Sequence, residues 1–465
     1  MRTTRRDVLV ALGGTSVLGL SAGLAAPRRR IPKDFLWGAA ISAHQSEGND
    51  VHSDSWLLEH LPETVYKEPS GDACDSYHRY EEDFAIARAI GLNCYRFGIE
   101  WARIEPEPGR FAQAELDHYV KVLASCRAHG LLPIVTYNHF TVPRWFAMRG
   151  GWEVPDSADL FARYCERATR ALGDQIGMAS PFNEANIHLL VKMLRLGATS
   201  EYVAKRTAMI AAAARATGAP RFSSILFADP DRIDAHLLDA HAKAYQAIKA
   251  GPGDFPVGVT LTTQAIQAVG EGSIAPEMEK ILYGGWWDAV NASDFVGVQA
   301  YTRFRFDSKG AVPAPSGAEM TAAGYEYYPQ ALGDMIRLAA RKTRKPVYVT
   351  ESGIATDDDT RRVAWLDACV DEVERCLEEG IDVRSYIYWS LLDNFEWTQG
   401  YGQHFGLVGV DRNTFVRTVK GSALHFGRVV RGLRKPSIAG RLRASHERSP
   451  REISPQELSP REISS

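Results

Sequence analysis

Two acids in this chain stand where a carboxylate could do covalent work. The run Pro346-Val347-Tyr348-Val349-Thr350-Glu351-Ser352-Gly353 is apolar and β-branched, then turns abruptly into a carboxylate, a small polar residue and a glycine. Opened by Pro and closed by Gly, it predicts a buried parallel strand that delivers Glu351 to a rim, where barrels carry their reactive groups. A second short segment, Met178-Ala179-Ser180-Pro181-Phe182-Asn183-Glu184, ends the same way and presents Glu184. Two carboxylates at one cavity are the equipment for glycosidic bond cleavage. In the retaining form, about 5 to 5.5 Å apart, one attacks the anomeric carbon and the other protonates the leaving oxygen. Taken singly, a Glu after a strand is more often a surface ion-pair partner.

The elements that would position these acids alternate along the chain. Eight short apolar runs read as strands: Leu36 to Ala40, Cys94 to Phe97, Pro133 to Tyr137, Met178 to Phe182, Val257 to Leu261, Phe295 to Gln299, Val347 to Thr350 and Ser385 to Trp389. Stretches of helical periodicity lie between them, among them Tyr80 to Ile90, Leu116 to Ala128, Ala158 to Leu172, Ala235 to Ala250 and Arg361 to Glu378. Eight such units predict an α/β chain folded as a single (β/α)8 TIM barrel. A doubly wound sheet is the runner-up, but no GxGxxG follows the first strand.

Composition narrows the class. The chain has 465 residues, of which 45% are hydrophobic and 24% charged, in the range of globular proteins. A formal net charge of -3 gives no basis for nucleic-acid binding or a polybasic membrane module. Ten Trp and eighteen Tyr supply flat faces with polar edges, which suit sugar rings as well as ordinary cores. The six cysteines show no CxxC pair and no His at metal-ligand spacing, so buried free thiols are expected and neither metal nor cofactor is implied.

The ends differ from the body. Residues 1-30 read as an export signal: Arg2, Arg5 and Arg6 precede an uncharged stretch from Val8 to Ala26, and Thr4-Arg5-Arg6-Asp7-Val8-Leu9 resembles a twin-arginine motif. An uncleaved anchor is the alternative. The expected location is periplasmic or extracellular, with no stable membrane insertion after cleavage. Residues 31-440 form the expected catalytic domain. Residues 441-465, with the near-repeat Ser449-Pro450-Arg451-Glu452-Ile453-Ser454 and Ser459-Pro460-Arg461-Glu462-Ile463-Ser464, read as a disordered tail.

Phe35-Leu36-Trp37-Gly38-Ala39-Ala40, followed by His44-Gln45-Ser46-Glu47-Gly48, resembles the N-terminal signature of the family-one glycoside hydrolases, the β-glucosidase family. Four further blocks agree in order. They are Asp72 to Ile104, which includes Tyr95-Arg96-Phe97-Gly98-Ile99-Glu100-Trp101; Asn183-Glu184; Thr350-Glu351-Ser352-Gly353; and Tyr388-Trp389-Ser390-Leu391-Leu392-Asp393-Asn394-Phe395-Glu396-Trp397. The resemblance spans roughly residues 31 to 430. It implies Glu351 as nucleophile, Glu184 as acid/base, and Arg96 and Tyr301 beside the nucleophile. It also implies Gln45, His139, Asn183 and Glu396 on the sugar hydroxyls, with Trp389 and Trp397 shaping the same subsite. A carboxylate at Glu396 would repel a 6-phosphate, so an unphosphorylated glycone is implied. Without the resemblance, Arg96 reads as a structural ion-pair residue, Tyr301 as a core aromatic and His139 as a satisfied buried histidine.

The implied activity is retaining β-glycosidase, β-glucosidase above all, on a small glycoside or oligosaccharide and without a cofactor. A transglycosidase using the same acids, or a carbohydrate-binding relative without turnover, are the alternatives. Four departures bear on the cavity. Ala185 stands where the family usually has Pro, Ser352 where it has Asn, Phe140 where it has Trp, and Gln299-Ala300 where it has Asn-Tyr. All four are expected around the cavity, and a trimmed loop between Tyr301 and Pro346 is expected to open its outer part.

Overall fold

The computed structural model describes residues 31–195 and 199–432. The export signal and the tail therefore lie outside the described residues. The barrel strands are β1 (Leu36–Ala40), β2 (Cys94–Gly98), β3 (Leu132–Asn138), β4 (Met178–Phe182), β5 (Val259–Ala268), β6 (Val296–Phe306), β7 (Val347–Ser352) and β8 (Val383–Trp389). Neighbours pair in parallel in the order β4-β3-β2-β1-β8-β7-β6-β5. A parallel bridge from Ala179 to Val257 joins the two ends, with the Ala179 N–H donating to the Pro256 carbonyl at 2.9 Å and Gly258 donating back to Ala179 at 3.0 Å. Closure leaves no open edge, and the fold is a TIM barrel.

All eight expected strands form. β5 starts two residues late and, like β6, runs several residues past its expected end. Beyond its end β6 pairs antiparallel with the two-residue strand Ala311–Val312, and a small hairpin joins Val408–Val410 to Arg417–Val419. Neither was anticipated, because two or three residues carry no readable periodicity.

The connecting helices include α1 (Ser76–Ile90), α2 (Gln113–Ala128), α3 (Ser157–Leu172), α4 (Ile187–Arg195), α5 (Ser200–Thr217), α6 (Pro230–Lys249), α7 (Ala331–Thr343), α8 (Asp359–Glu378) and α9 (Gly421–Val430). In α3 the buried set Phe161, Tyr164, Cys165, Ala168 and Leu172 recurs every three or four residues, so one stripe faces the sheet. There Phe161 stacks on Phe182 of β4 at 4.6 Å, fixing the strand that carries Glu184. α8 buries Trp365, Leu366, Cys369, Val370, Val373 and Cys376 the same way behind β7. The Asp358 side chain caps its N-terminus by accepting from the Thr360 N–H. All six cysteines are buried free thiols, as expected.

The barrel interior is plugged by Ala40, Cys94, Ile134, Met178, Phe295, Tyr348 and Ile387, contributed by alternating positions of successive strands. This floor supports the reactive layer above it. On β7, Tyr348 faces inward and Val347 and Val349 face the helices, so strict alternation would send Thr350 inward and Glu351 outward. The register breaks at this point. Val298 of β6 pairs with Val349, but the next residue, Gln299, pairs with Glu351. Thr350 is therefore the extra residue of a bulge, and Glu351 is turned into the barrel.

Gly353 follows this bulge, and a Cβ placed on it would lie 1.9 Å from the Trp389 carbonyl oxygen of β8. Gly353→Ala is expected to force β7 and β8 apart, costing about 1–3 kcal/mol by overpacking. The melting temperature should fall, with loss of activity below the new midpoint. An unchanged melting temperature would show that the strands can part freely there.

Candidate active site

A cavity of about 580 Å³ opens at the C-terminal end of the barrel strands. Gln45, His139, Asn183, Glu184, Tyr301, Glu351, Trp389, Glu396 and Trp397 all line it. Arg96 sits one layer behind, 1% exposed, and reaches the site through its guanidinium. The structure thus brings all ten sequence-identified residues together.

Glu351 is held from two sides. Arg96 donates to its Oε1 at 2.6 Å and the Tyr301 hydroxyl donates to Oε2 at 2.6 Å. Burial raises the Glu351 carboxyl above its ordinary value, while Arg96 and Tyr301 oppose that shift by stabilising the anion. Glu184 is also buried, faces the charge of Glu351 and is pushed up to about 8, with only a Thr262 hydrogen bond and Arg96 pulling back. The first proton to leave the pair therefore comes from Glu351, and Glu184 holds its own near neutral pH. Glu396, buried and also exposed to the field of Glu351, is pushed up to about 8.

Asn183 is oriented by donors. Its Oδ1 accepts from Arg96 at 2.5 Å and from the Gln299 amide at 2.8 Å, and since guanidinium can only donate, the Asn183 amide NH2 must point away from it. Gln45 donates to the Phe395 carbonyl at 2.7 Å and to Glu396 at 3.2 Å, tying the β1 end to the loop after β8. His139 is buried, with Nδ1 unpartnered, and burial together with Arg96 holds its pKa well below the usual value, so it is neutral. Its ring stacks on Trp389 at 5.5 Å and on Trp397 at 6.2 Å.

Glu184 adopts φ 44°, a left-handed conformation that costs a non-glycine residue energy. Three hydrogen bonds fix it. Its own N–H donates to Thr260 Oγ1 at 3.3 Å, the Ala185 N–H donates to the Thr260 carbonyl at 2.9 Å, and Ile187 donates back to Glu184 at 2.8 Å. A proline at 185 could not make the second of these bonds.

The departures from the family pattern do not all fall on the cavity, which corrects the expectation. Ser352 is turned outward by the same bulge, with its hydroxyl 3.5 Å from Cys369 Sγ and accepting from Trp365 Nε1 at 3.3 Å. Ala300 packs in the sheet–helix core and Ala185 is buried in the same cluster. Phe140 does line the cavity, packed on Trp397 at 5.3 Å, and Gln299 acts on it through Asn183.

The sequence reading missed Thr262, Gln264, Tyr325 and Arg206, all on the cavity wall. Thr262 and Gln264 lie on β5, where alternation along an extended strand was a usable signal. Tyr325 and Arg206 come from a long loop and a separate helix, with no local pattern to mark them. Among the described residues no group of three or more His, Cys, Asp or Glu is placed to hold a metal ion.

Because the folded pKa of Glu184 lies above the ordinary carboxylate value, its contribution to stability is complete at acid pH and is lost as pH rises through about 8. Glu184→Gln keeps the shape and removes the ionisation. The variant should gain melting temperature relative to the parent at pH 9 and gain little at pH 5. The same difference at both pH values would contradict the raised pKa.

The sequence matches the model of Glycosyl hydrolase family 1 over residues 27–291 and 305–433. The chain is 30% identical over 461 residues to β-glucosidase A of Acetivibrio thermocellus, covering 86% of this chain and 98% of that protein. It is 28% identical to β-glucosidase A of Thermotoga maritima, with 87% and 98% covered. Among solved structures, the apo form of β-glucosidase 1317 superposes with a TM-score of 0.82 at 44% identity, covering 86% of this chain and 98% of that one. The T. maritima β-glucosidase in complex with deoxynojirimycin superposes at 0.74 with 27% identity, covering 86% and 98%. The interval left between the two matched segments carries Gln299 and Tyr301. With the barrel, the acid pair and both flanking segments in agreement, the chain belongs to glycosyl hydrolase family 1.

Proposed function

We propose that the chain is a retaining β-glucosidase that cleaves terminal, unphosphorylated β-D-glucosides through a glycosyl-enzyme ester at Glu351. The observation that carries this reading is the asymmetry of the acid pair. Glu351 is clamped as an anion by Arg96 and Tyr301, while Glu184 in the same cavity keeps its proton.

In the first step a lone pair of the Glu351 carboxylate attacks the anomeric carbon. The bond to the leaving oxygen breaks as Glu184 hands that oxygen its proton. Forming the ester removes the negative charge of Glu351, so the field that raised Glu184 disappears and its pKa falls. As a carboxylate, Glu184 then takes a proton from water, the water oxygen attacks the anomeric carbon, and the ester bond to Glu351 breaks. One residue serves both steps because its partner's charge changes between them.

The glycone subsite supplies matched partners for hydroxyls. The Asn183 amide, neutral His139, Gln45 and Glu396 are fixed donors and acceptors, and Trp389 and Trp397 offer faces for sugar C–H groups. A sugar phosphate would meet the Glu351 anion and an uncharged Glu396 at this subsite, which disfavours a phosphorylated sugar. The β-glucosidases among the similar proteins support the choice of glucose.

An activated 2-deoxy-2-fluoro-β-glucoside should label the protein one-to-one, with the added mass on the peptide that carries Glu351. Label elsewhere, or none in folded protein, would sink the assignment. Glu184→Ala should slow glucosides with poor leaving groups by about 10² to 10⁴ while sparing activated aryl glucosides, since these scarcely need a proton. Equal losses on both would remove Glu184 from the acid role.

A further inference from the structure

We infer that the outer part of the cavity is built for an apolar aglycone carrying a carboxylate, with Arg206 as the group that binds the carboxylate. This inference rests on the β-glucosidase reading above. Depth in the cavity can be followed by exposure. Glu351 is 4% exposed on the floor, whereas Leu194 and Tyr202 are 51% and 43% exposed at the mouth. The wall on the α4 and α5 side is made of Ile187, Leu190, Leu194, Leu226 and Phe227, and Phe304 of β6 also lines the cavity.

Arg206, half-buried on α5, lines the same space. Among the described residues it donates no side-chain hydrogen bond and forms no ion pair. Its neighbours do pair: Lys205 with Glu201 at 2.9 Å, and Arg215 with Glu63 at 3.2 Å. Asp229, the carboxylate whose charge acts on Arg206, is already engaged, accepting from the Asp231 N–H at the start of α6 at 3.1 Å and pairing with Arg232 at 3.5 Å. With His139 neutral, Arg206 is the one cationic side chain among the described residues of the lining.

This combination discriminates between ligands. Against the α4 and α5 side a second sugar would set its hydroxyls, Tyr202 apart, against apolar side chains that return no hydrogen bonds, at a cost for each one buried. An aryl or alkyl group loses nothing there. A planar carboxylate on its far end matches the forked donors of a guanidinium. Polarity fixes the direction of entry as well: the Glu351 anion lies on the floor and would repel a second anion, while the cation stands on the outer wall.

The test is kcat/KM for the β-glucosides of 4-hydroxybenzoic acid and 3-(4-hydroxyphenyl)propionic acid and for their methyl esters, in the parent and in Arg206→Gln and Arg206→Lys. Comparing acid-to-ester ratios between proteins cancels differences in leaving-group reactivity. The ratio should fall roughly tenfold in Arg206→Gln, through KM for the acids, and recover partly in Arg206→Lys, as expected for one partly exposed charge pair. A ratio that does not change between parent and Arg206→Gln would overturn the inference. Failure of the parent on all four glucosides would count against the β-glucosidase reading. Calorimetric binding of free 3-(4-hydroxyphenyl)propionate then decides the subsite alone: weaker binding by Arg206→Gln supports it, and equal binding refutes it.

Discussion

The structure depends on one buried ion pair, Arg96 with Glu351, at 2.6 Å. Both side chains are nearly inaccessible to water, so neither could be charged there without the other. The pair constrains the backbone as well. Arg96 projects from β2 and Glu351 from β7, strands on opposite sides of β1 and β8 in the sheet order, so their contact spans the barrel mouth. The bulge at Thr350 exists in the same place. It interrupts the alternation of β7 and turns Glu351 to meet the guanidinium, and it turns Ser352 against α8. Arg96 also holds Asn183, so a single cation orients the proposed nucleophile and a residue beside the proposed acid.

Around that anion the other acids are kept protonated. Glu184 and Glu396 reach about 8 because burial and the charge of Glu351 act in the same direction on both. A site arranged this way stores unfavourable electrostatics that folding elsewhere must offset, a common arrangement at reactive centres. The strained φ of Glu184 and of Phe140, at 75°, belongs to the same pattern.

A second buried polar network supports the aromatic wall. His44 lies between Asp50 at 3.1 Å and Glu59 at 2.6 Å, and these carboxylates outweigh its burial to raise its pKa well above the usual value. The charged ring stacks flat beneath Trp397 at 5.7 Å and 9°. A cation on the indole face is favourable, and it holds Trp397 nearly parallel to His139, which in turn stacks on Trp389. Glu59 in turn accepts from the Ser70 N–H and hydroxyl, so the wall of the subsite is anchored to loops well outside the barrel.

The alternation of eight apolar runs with amphipathic helices determined the barrel by itself, because parallel strands buried on both faces and one-sided helices leave strong local patterns. Short ordered blocks marked the acid pair and its immediate neighbours through their resemblance to the β-glucosidase family, while the apolar runs alone announced only that Glu184 and Glu351 follow strands. What only the tertiary structure decided is where side chains point after a bulge and what distant segments add. Period-two reading of β7 places Glu351 outside the barrel and Ser352 inside, and pairing with β6 reverses both. Arg206 and Tyr325 reach the cavity from a helix and a loop whose own sequences carry no sign of it. The physical reason is the same in both cases: a local pattern records which face of an element is buried, while register and chain crossing depend on partners far along the sequence.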